Sequence, residues 1–130
     1  MKDKIFLLSV DEYCKYIKKI PECSNWWWLR TTYKPSQWQY AFYVDGKYGY
    51  VNYLNVRDLL AVRPALNLNG LSPKSDEFEY LGIKWIKLSN RFAIAKEPIF
   101  NSAFHYNEQD YEHSEIRKKL LAWYKERLAH

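Results

Sequence analysis

Three consecutive tryptophans, Trp26-Trp27-Trp28, followed by Leu29-Arg30-Thr31 and answered across a Tyr-rich middle by Val62-Arg63-Pro64-Ala65-Leu66, constrain this chain more than any other feature. So much apolar and π surface in one place marks either a packed keystone or a contact surface. A segment from Trp26 to Thr32 reads as a strand. These residues alone leave both roles open.

Around that strand the local signals alternate between two periods. Ile5 to Leu8 is a short apolar run suited to a buried strand, and Ser9-Val10-Asp11-Glu12 is a capping box. A helix should therefore start near Val10 and end before Pro21, with Tyr13, Ile17 and Ile20 on one face. Tyr40 to Asp45 reads as a strand, and Asp45-Gly46 signals a hairpin turn into an alternation of Tyr48, Tyr50 and Tyr53. Val62 to Leu68, Phe78 to Leu88 and Phe92 to Ile99 read as further strands. Ser114 caps a last helix to about Leu128, whose buried stripe is Ile116, Leu120, Leu121, Trp123, Tyr124 and Leu128. Strands in the middle with helices near both ends predict an α+β fold.

The 130 residues suffice for one domain with its own core, and an aromatic share of 18% argues against disorder. The apolar run near Met1 is too short for a signal peptide or a membrane span, which predicts a cytoplasmic protein without membrane association. Cys14 and Cys23 lack CxxC or Cys/His spacing, so reduced, packed thiols are expected. His105, His113 and His130 have no zincin spacing, and no GxSxG, P-loop or GxGxxG occurs. Asp110, Glu112 and Glu108 are too weak a cluster to name a metal. No catalytic residue, metal or cofactor is predicted. A net charge of +5 admits an acidic partner, and Arg117, Lys118, Lys119, Lys125 and Arg127 concentrate that charge in the last helix.

Phe6-Leu7-Leu8-Ser9, Glu12-Tyr13, Trp27-Trp28-Leu29-Arg30 and Val62-Arg63-Pro64-Ala65-Leu66 resemble the second half of an uncharacterised domain family of Gram-positive bacteria and their phages, which reads FLLS, WWLRS and GVRPAL. Ala61 and Thr31 stand where that family has Gly and Ser. Leu81-Gly82-Ile83-Lys84-Trp85-Ile86, Phe92 to Asn101 and Tyr111 to Leu120 are similar to the family's first half. The resemblance implies a C-type-lectin-like, formylglycine-generating-enzyme-like domain with a twisted antiparallel sheet and two flanking helices. It is circularly permuted: residues 1–70 correspond to the second half, 78–130 to the first, and 71–77 form the connecting loop. A hairpin of Val62–Leu68 with Phe78–Leu88 follows from that order. Neither cysteine falls where the formylglycine-generating enzymes carry theirs, and Glu97-Pro98 lacks the Asn of a calcium-lectin motif, so both activities are disfavoured.

Trp27, Trp28, Arg30, Arg63 and Trp85 are thus expected to be structural, the arginines satisfying backbone carbonyls or a buried carboxylate. Tyr33, Trp38, Tyr40, Tyr43, Lys47, Tyr48 and Tyr50, in or beside the hairpin, are the expected partner-binding residues. Arg117, Lys118, Lys125 and Arg127 are candidate contacts to an acidic partner or nucleic acid. The expected function is non-catalytic binding of a protein, or of a nucleoprotein complex. One concrete form is an inhibitor from a phage or mobile element directed at a host defence protein such as a nucleic-acid-guided nuclease. The alternative is direct binding of single-stranded nucleic acid on exposed aromatics and a groove of Lys47, Arg57, Arg91 and the basic helix. Monomer and domain-swapped homodimer are both open.

Overall fold

A computed structural model describes residues 3–35, 39–105 and 110–129. The elements run β1 (Ile5–Phe6), α1 (Val10–Tyr16), β2 (Trp26–Tyr33), β3 (Tyr40–Asp45), β4 (Val51–Asn55), β5 (Leu59–Val62), β6 (Ala65–Asn67), β7 (Glu77–Tyr80), β8 (Ile83–Lys87), β9 (Phe92–Ala95), β10 (Phe100–Ala103) and α2 (Glu115–Leu128). This is an α+β architecture. The strands form two five-stranded sheets, ordered β1-β6-β9-β8-β7 and β10-β5-β2-β3-β4, rather than one. Pairing is antiparallel throughout except where β2 meets β5 at Trp27 and Ala61.

The chain changes sheet at two of the expected strands, so neither runs its full length in one sheet. Val62–Leu68 breaks at Arg63-Pro64, so that β5 joins one sheet and β6 the other. Of Phe92–Ile99 only Phe92–Ala95 is strand, as β9, and after 96–99 the chain crosses to the other sheet as β10, which begins at Phe100. The two breaks lie side by side, because the Ala95 N–H donates to Pro64 O at 2.9 Å and the Ile99 N–H to Val62 O at 2.9 Å. Proline, with no N–H of its own, suits a point where a ladder must stop. The expected hairpin of Val62–Leu68 with Phe78–Leu88 does not form. β6 is held between β1 and β9, while residues 77–87 fold on themselves as β7 and β8. Leu81 and Gly82, at φ of 57° and 75°, make the tight turn that matches strand twist.

The helices follow their caps. Ser9 Oγ accepts the Glu12 N–H at 3.1 Å and Glu12 returns a carboxylate to the Ser9 N–H at 2.8 Å. The α-helical part ends at Tyr16 and one 3₁₀ turn, Ile17–Lys19, follows. The tighter winding rotates the face, leaving Ile17 exposed and Tyr13 as the buried anchor. In α2, Ser114 caps the N-terminus, and Ile116 and Leu120 are fully buried. Leu121, Trp123 and Tyr124 are half-buried, and Leu128 is exposed instead of buried.

Two apolar clusters hold the sheets and helices. The larger contains Ile5, Leu7, Trp28, Val62, Leu66, Trp85 and Phe104 and is closed by α2 through Ile116 and Leu120. The smaller contains Phe6, Leu8, Trp27, Leu29, Val44, Ala65 and Ile94 and is closed by Tyr13 of α1. Neighbouring residues of β1, β2 and β9 therefore feed opposite clusters. That is why consecutive tryptophans fit: alternate side chains leave a strand on opposite faces, and both faces of β2 are covered. Trp28 satisfies its indole N–H on Ser102 O at 2.9 Å, and Trp85 on Tyr80 O at 2.8 Å.

No described helix is long and apolar enough to cross a membrane.

Candidate functional site

The two arginines of the sequence motifs act on backbone. Arg30 donates to Leu7 O at 2.8 Å and makes a forked pair with Glu12, which ties β2 to the start of α1. The same region of β2 is bulged, with pairing to β3 jumping from Trp28–Tyr43 to Thr32–Ala41. The freed Arg30 N–H donates instead to Leu8 O at 2.9 Å, and Thr31 Oγ1 accepts the Val10 N–H at 3.0 Å. Arg63 is buried at the crossing point of the two sheets. Its Nε donates to Ala95 O and its Nη2 to Lys96 O, each at 2.8 Å, while its guanidinium faces the Trp27 ring at 5.2 Å. The Val-Arg-Pro motif is thus a clamp: Pro64 breaks one strand, and Arg63 holds the carbonyls where its neighbour breaks.

One face of the β2-β3-β4 ladder is left partly uncovered. Tyr40, Phe42 and Val44 alternate onto the same side of β3, and Tyr53 lies opposite Phe42 in the register. Val44 sits beneath α1 with Trp27, but further along Tyr33, Tyr40, Phe42 and Tyr53 gather in a cluster. Tyr53 makes edge contacts at 5.1–5.8 Å to the other three, and Tyr33 and Tyr53 are each 43% exposed. β4 is an open edge, yet the Tyr53 N–H is occupied by Asn52 Oδ1 at 2.8 Å. At that position the edge offers no free donor to another strand.

A second exposed pair lies in the connection from β3 to β4. Asp45 organises it, its carboxylate accepting the Lys47 and Tyr48 N–H groups and its carbonyl the Gly49 N–H at 2.7 Å. Gly49, at φ of 74°, supplies the left-handed residue of the turn. Gly46 is needed for space: a Cβ there would stand 2.1 Å from Asn25 O and 2.3 Å from Cys23 O. Tyr48 and Tyr50, 62% and 68% exposed, stack on each other at 6.0 Å, with the Lys47 ammonium 5.2 Å from the Tyr48 ring.

The expected partner-binding residues divide accordingly. Tyr33 and Tyr40 join one cluster, Lys47, Tyr48 and Tyr50 the other, and Trp38 lies outside the described residues, as do Glu108 and His130. Tyr43 is buried, its hydroxyl pushed up by burial and by Asp45, and serves as the floor on which the exposed Trp26 stacks at 4.9 Å. Phe42, Tyr53 and Trp26 belong to the exposed aromatic surface although the sequence reading assigned them no contact role. The register of β3 against β4 carries that information, and the alternation around Tyr53 was its only local trace.

The basic residues do not converge. Arg117 makes a forked pair with Asp3 at 2.9 and 3.0 Å, which raises its affinity for the proton, and Lys118 reaches Glu115 at 3.5 Å. Arg127 lies over Trp123 and donates to Leu81 O, and Lys125 is exposed. Lys47 and Arg57 fall at opposite ends of β4, about 17 Å of strand apart. Arg91 lies in the β8–β9 turn of the other sheet. Cys14 is exposed and Cys23 buried, both as free thiols. Among the described residues no three His, Cys, Asp or Glu side chains gather to hold a metal.

No family model, curated protein or solved structure matches the chain.

Proposed function

We propose that the protein is a non-catalytic interaction module whose contact surface is the uncovered aromatic face of β2-β3-β4 together with the Tyr48-Tyr50 turn. The observation that carries this reading is the Tyr33-Tyr40-Phe42-Tyr53 cluster, which adjoins the core under α1 through Phe42 and keeps Tyr33 and Tyr53 each 43% exposed. Rigid aromatic rings give large contact area at small entropic cost, which suits the centre of a protein interface. The partner class suggested by the family resemblance is a host defence protein, such as a nucleic-acid-guided nuclease, met by a phage or mobile-element inhibitor. Capture from a host lysate by the wild-type chain and by the pairs Tyr48→Ala/Tyr50→Ala and Tyr33→Ser/Tyr53→Ser tests it. The expected result is a partner retained by the wild type and bound at least about 100-fold more weakly by one pair, with circular dichroism unchanged. A partner held equally well by both pairs overturns the reading.

The stacked Tyr48 and Tyr50 rings beside Lys47 favour a second reading, stacking of unpaired bases. A labelled oligonucleotide titrated at two salt concentrations separates the two, since phosphate contacts give a steep salt dependence. Absence of binding at low salt rejects it.

The lectin-like, circularly permuted ancestry is a further part of the proposal. It is supported by the way the two halves interleave, β6 with β9 and β5 with β10. Restoring the family order requires joining the end of α2 to β1. Arg117, near the start of α2, touches Asp3, so Leu128 lies about 17 Å further along the helix. A rearranged chain starting at Glu77, with a flexible linker of about eight residues between His130 and Met1 and an end at Asn69, should unfold with a similar midpoint. Failure to fold argues against the permutation.

A further inference from the structure

Two turns begin with an acid or an amide followed by glycine, and they differ in what braces the glycine. At Asp45-Gly46 the Gly46 N–H donates to Asn25 O at 3.0 Å, and the Asp45 carboxylate accepts the Lys47 and Tyr48 N–H groups. Asn69-Gly70, just beyond β6, has no such restraint. The Leu71 N–H donates to Leu68 O at 2.8 Å and Gly70 takes a φ of 82°, which makes residues 68–71 a type II turn with Gly70 in its third position. That turn's hydrogen bond uses its outer groups, so the N–H of the central peptide, that of Gly70, stays outside it. The Gly70 N–H has no partner among the described residues. Asn69 and Gly70 are both exposed, and a Cβ at Gly70 would meet nothing within 4 Å. The carbonyl of the same peptide accepts from Lys4 Nζ at 2.5 Å, a donor on a flexible stem that can follow it.

We propose that Asn69 is a site of spontaneous deamidation through a cyclic imide with Gly70. The Gly70 nitrogen gives its proton to solvent hydroxide and attacks Asn69 Cγ. A bond forms between that nitrogen and Cγ, the bond from Cγ to Nδ2 breaks, and ammonia leaves with a proton taken from water. Water then opens the imide. Cleavage at Cγ leaves aspartate at position 69, and cleavage at the backbone carbonyl leaves isoaspartate, which adds a methylene to the main chain; nothing is oxidised or reduced. Ring closure needs the central peptide to rotate and its nitrogen to be approached, and glycine permits both. Every other asparagine in the sequence precedes a residue with a side chain. Either product places a carboxylate at the residue that Lys4 contacts.

Incubation of the intact chain in mildly alkaline buffer, followed by peptide mapping that separates asparaginyl, aspartyl and isoaspartyl forms, reads each site. Asn69 should convert at least about tenfold faster than any other asparagine, and in the folded chain within about tenfold of its rate in guanidinium chloride. Isoaspartate at Asp45 should form only in denaturant, which releases the Gly46 N–H. Gly70→Ala should slow conversion at Asn69 by about tenfold or more, and should do so in denaturant too, where folding does not enter. Asn69 that stays intact in the folded chain while the unfolded chain converts overturns the proposal. So does equal conversion at Asp45 or at another asparagine in the folded chain, or Gly70→Ala reacting as fast as wild type. The turn joins β6 to β7, in the sheet that does not carry the aromatic face, so the two readings fail or stand separately.

Discussion

Two ends of one sheet face carry similar residues and meet opposite fates. At one end Trp27 and Val44 lie beneath α1, with Tyr13 edge-on to Trp27 at 5.6 Å. At the other end Tyr33, Tyr40, Phe42 and Tyr53 contact one another, Tyr40 and Phe42 are half-buried, and Tyr33 and Tyr53 are each 43% exposed. Composition does not separate the ends, since both are aromatic; the reach of α1 does. Its α-helical part stops after two turns at Tyr16. The proposed contact role rests on this partly exposed aromatic surface beside the core.

The comparison breaks most sharply through the covered end. Trp27→Ala removes the ring that Tyr13 and Arg63 both pack against, and the expected loss is about 3–5 kcal/mol by chemical denaturation. A loss no larger than that of Tyr53→Ala would show that α1 adds little to what it covers. Next in size is Gly46→Ala, where the new Cβ meets two backbone carbonyls and neither can move like a side-chain tip. Overpacking of this kind costs about 1–3 kcal/mol. It should also shift the signals of Tyr48 and Tyr50, because the turn that presents them is braced at Gly46 by its N–H to Asn25 O at 3.0 Å.

A smaller effect tests what keeps α1 in place. Glu12 is half-buried, which by itself raises its pKa, but the Arg30 guanidinium and the Ser9 N–H outweigh burial and hold it below the ordinary carboxylate value. A lowered folded-state pKa means stability present above the unfolded value of about 4.3 and lost as pH falls through the folded one. Partial exposure of the pair limits this to about 1 kcal/mol or less. Urea midpoints measured at pH 7 and pH 3 should therefore converge more in Glu12→Gln than in wild type. An identical pH dependence would remove Glu12 from the account.

What the sequence disclosed divides along the same line between local and distant causes. The β3 limits, the Ser9-Glu12 capping box and the Ser114 cap were legible because each depends on residues within one turn or one strand. The breaks at Arg63-Pro64 and 96–99 were not, since a long apolar run looks the same whether it stays in one sheet or crosses to another. Pro64 and Pro98 were the available hints. Tyr43 could not be told from Tyr48 by type or neighbourhood; its burial comes from the larger cluster it joins and from Trp26 stacked on it from β2. Arg63 was readable as a structural donor, but the carbonyls it meets, on Ala95 and Lys96, lie 32 and 33 residues away in the chain.

The smallest expected effect is the most direct on the uncovered end. Tyr33→Ser/Tyr53→Ser deletes two half-exposed rings whose main contacts are each other and their two neighbours. Surface changes away from special backbone geometry move stability by about 0.5 kcal/mol or less, and lost edge contacts add a similar amount. A shift of the urea midpoint corresponding to about 1 kcal/mol, with m unchanged, is thus expected. A loss approaching that of Trp27→Ala would mean that the bare end is part of the core, and the face would forfeit its claim as a contact surface. A small loss beside a large loss of partner affinity would mean that these rings are held in place for something outside the chain.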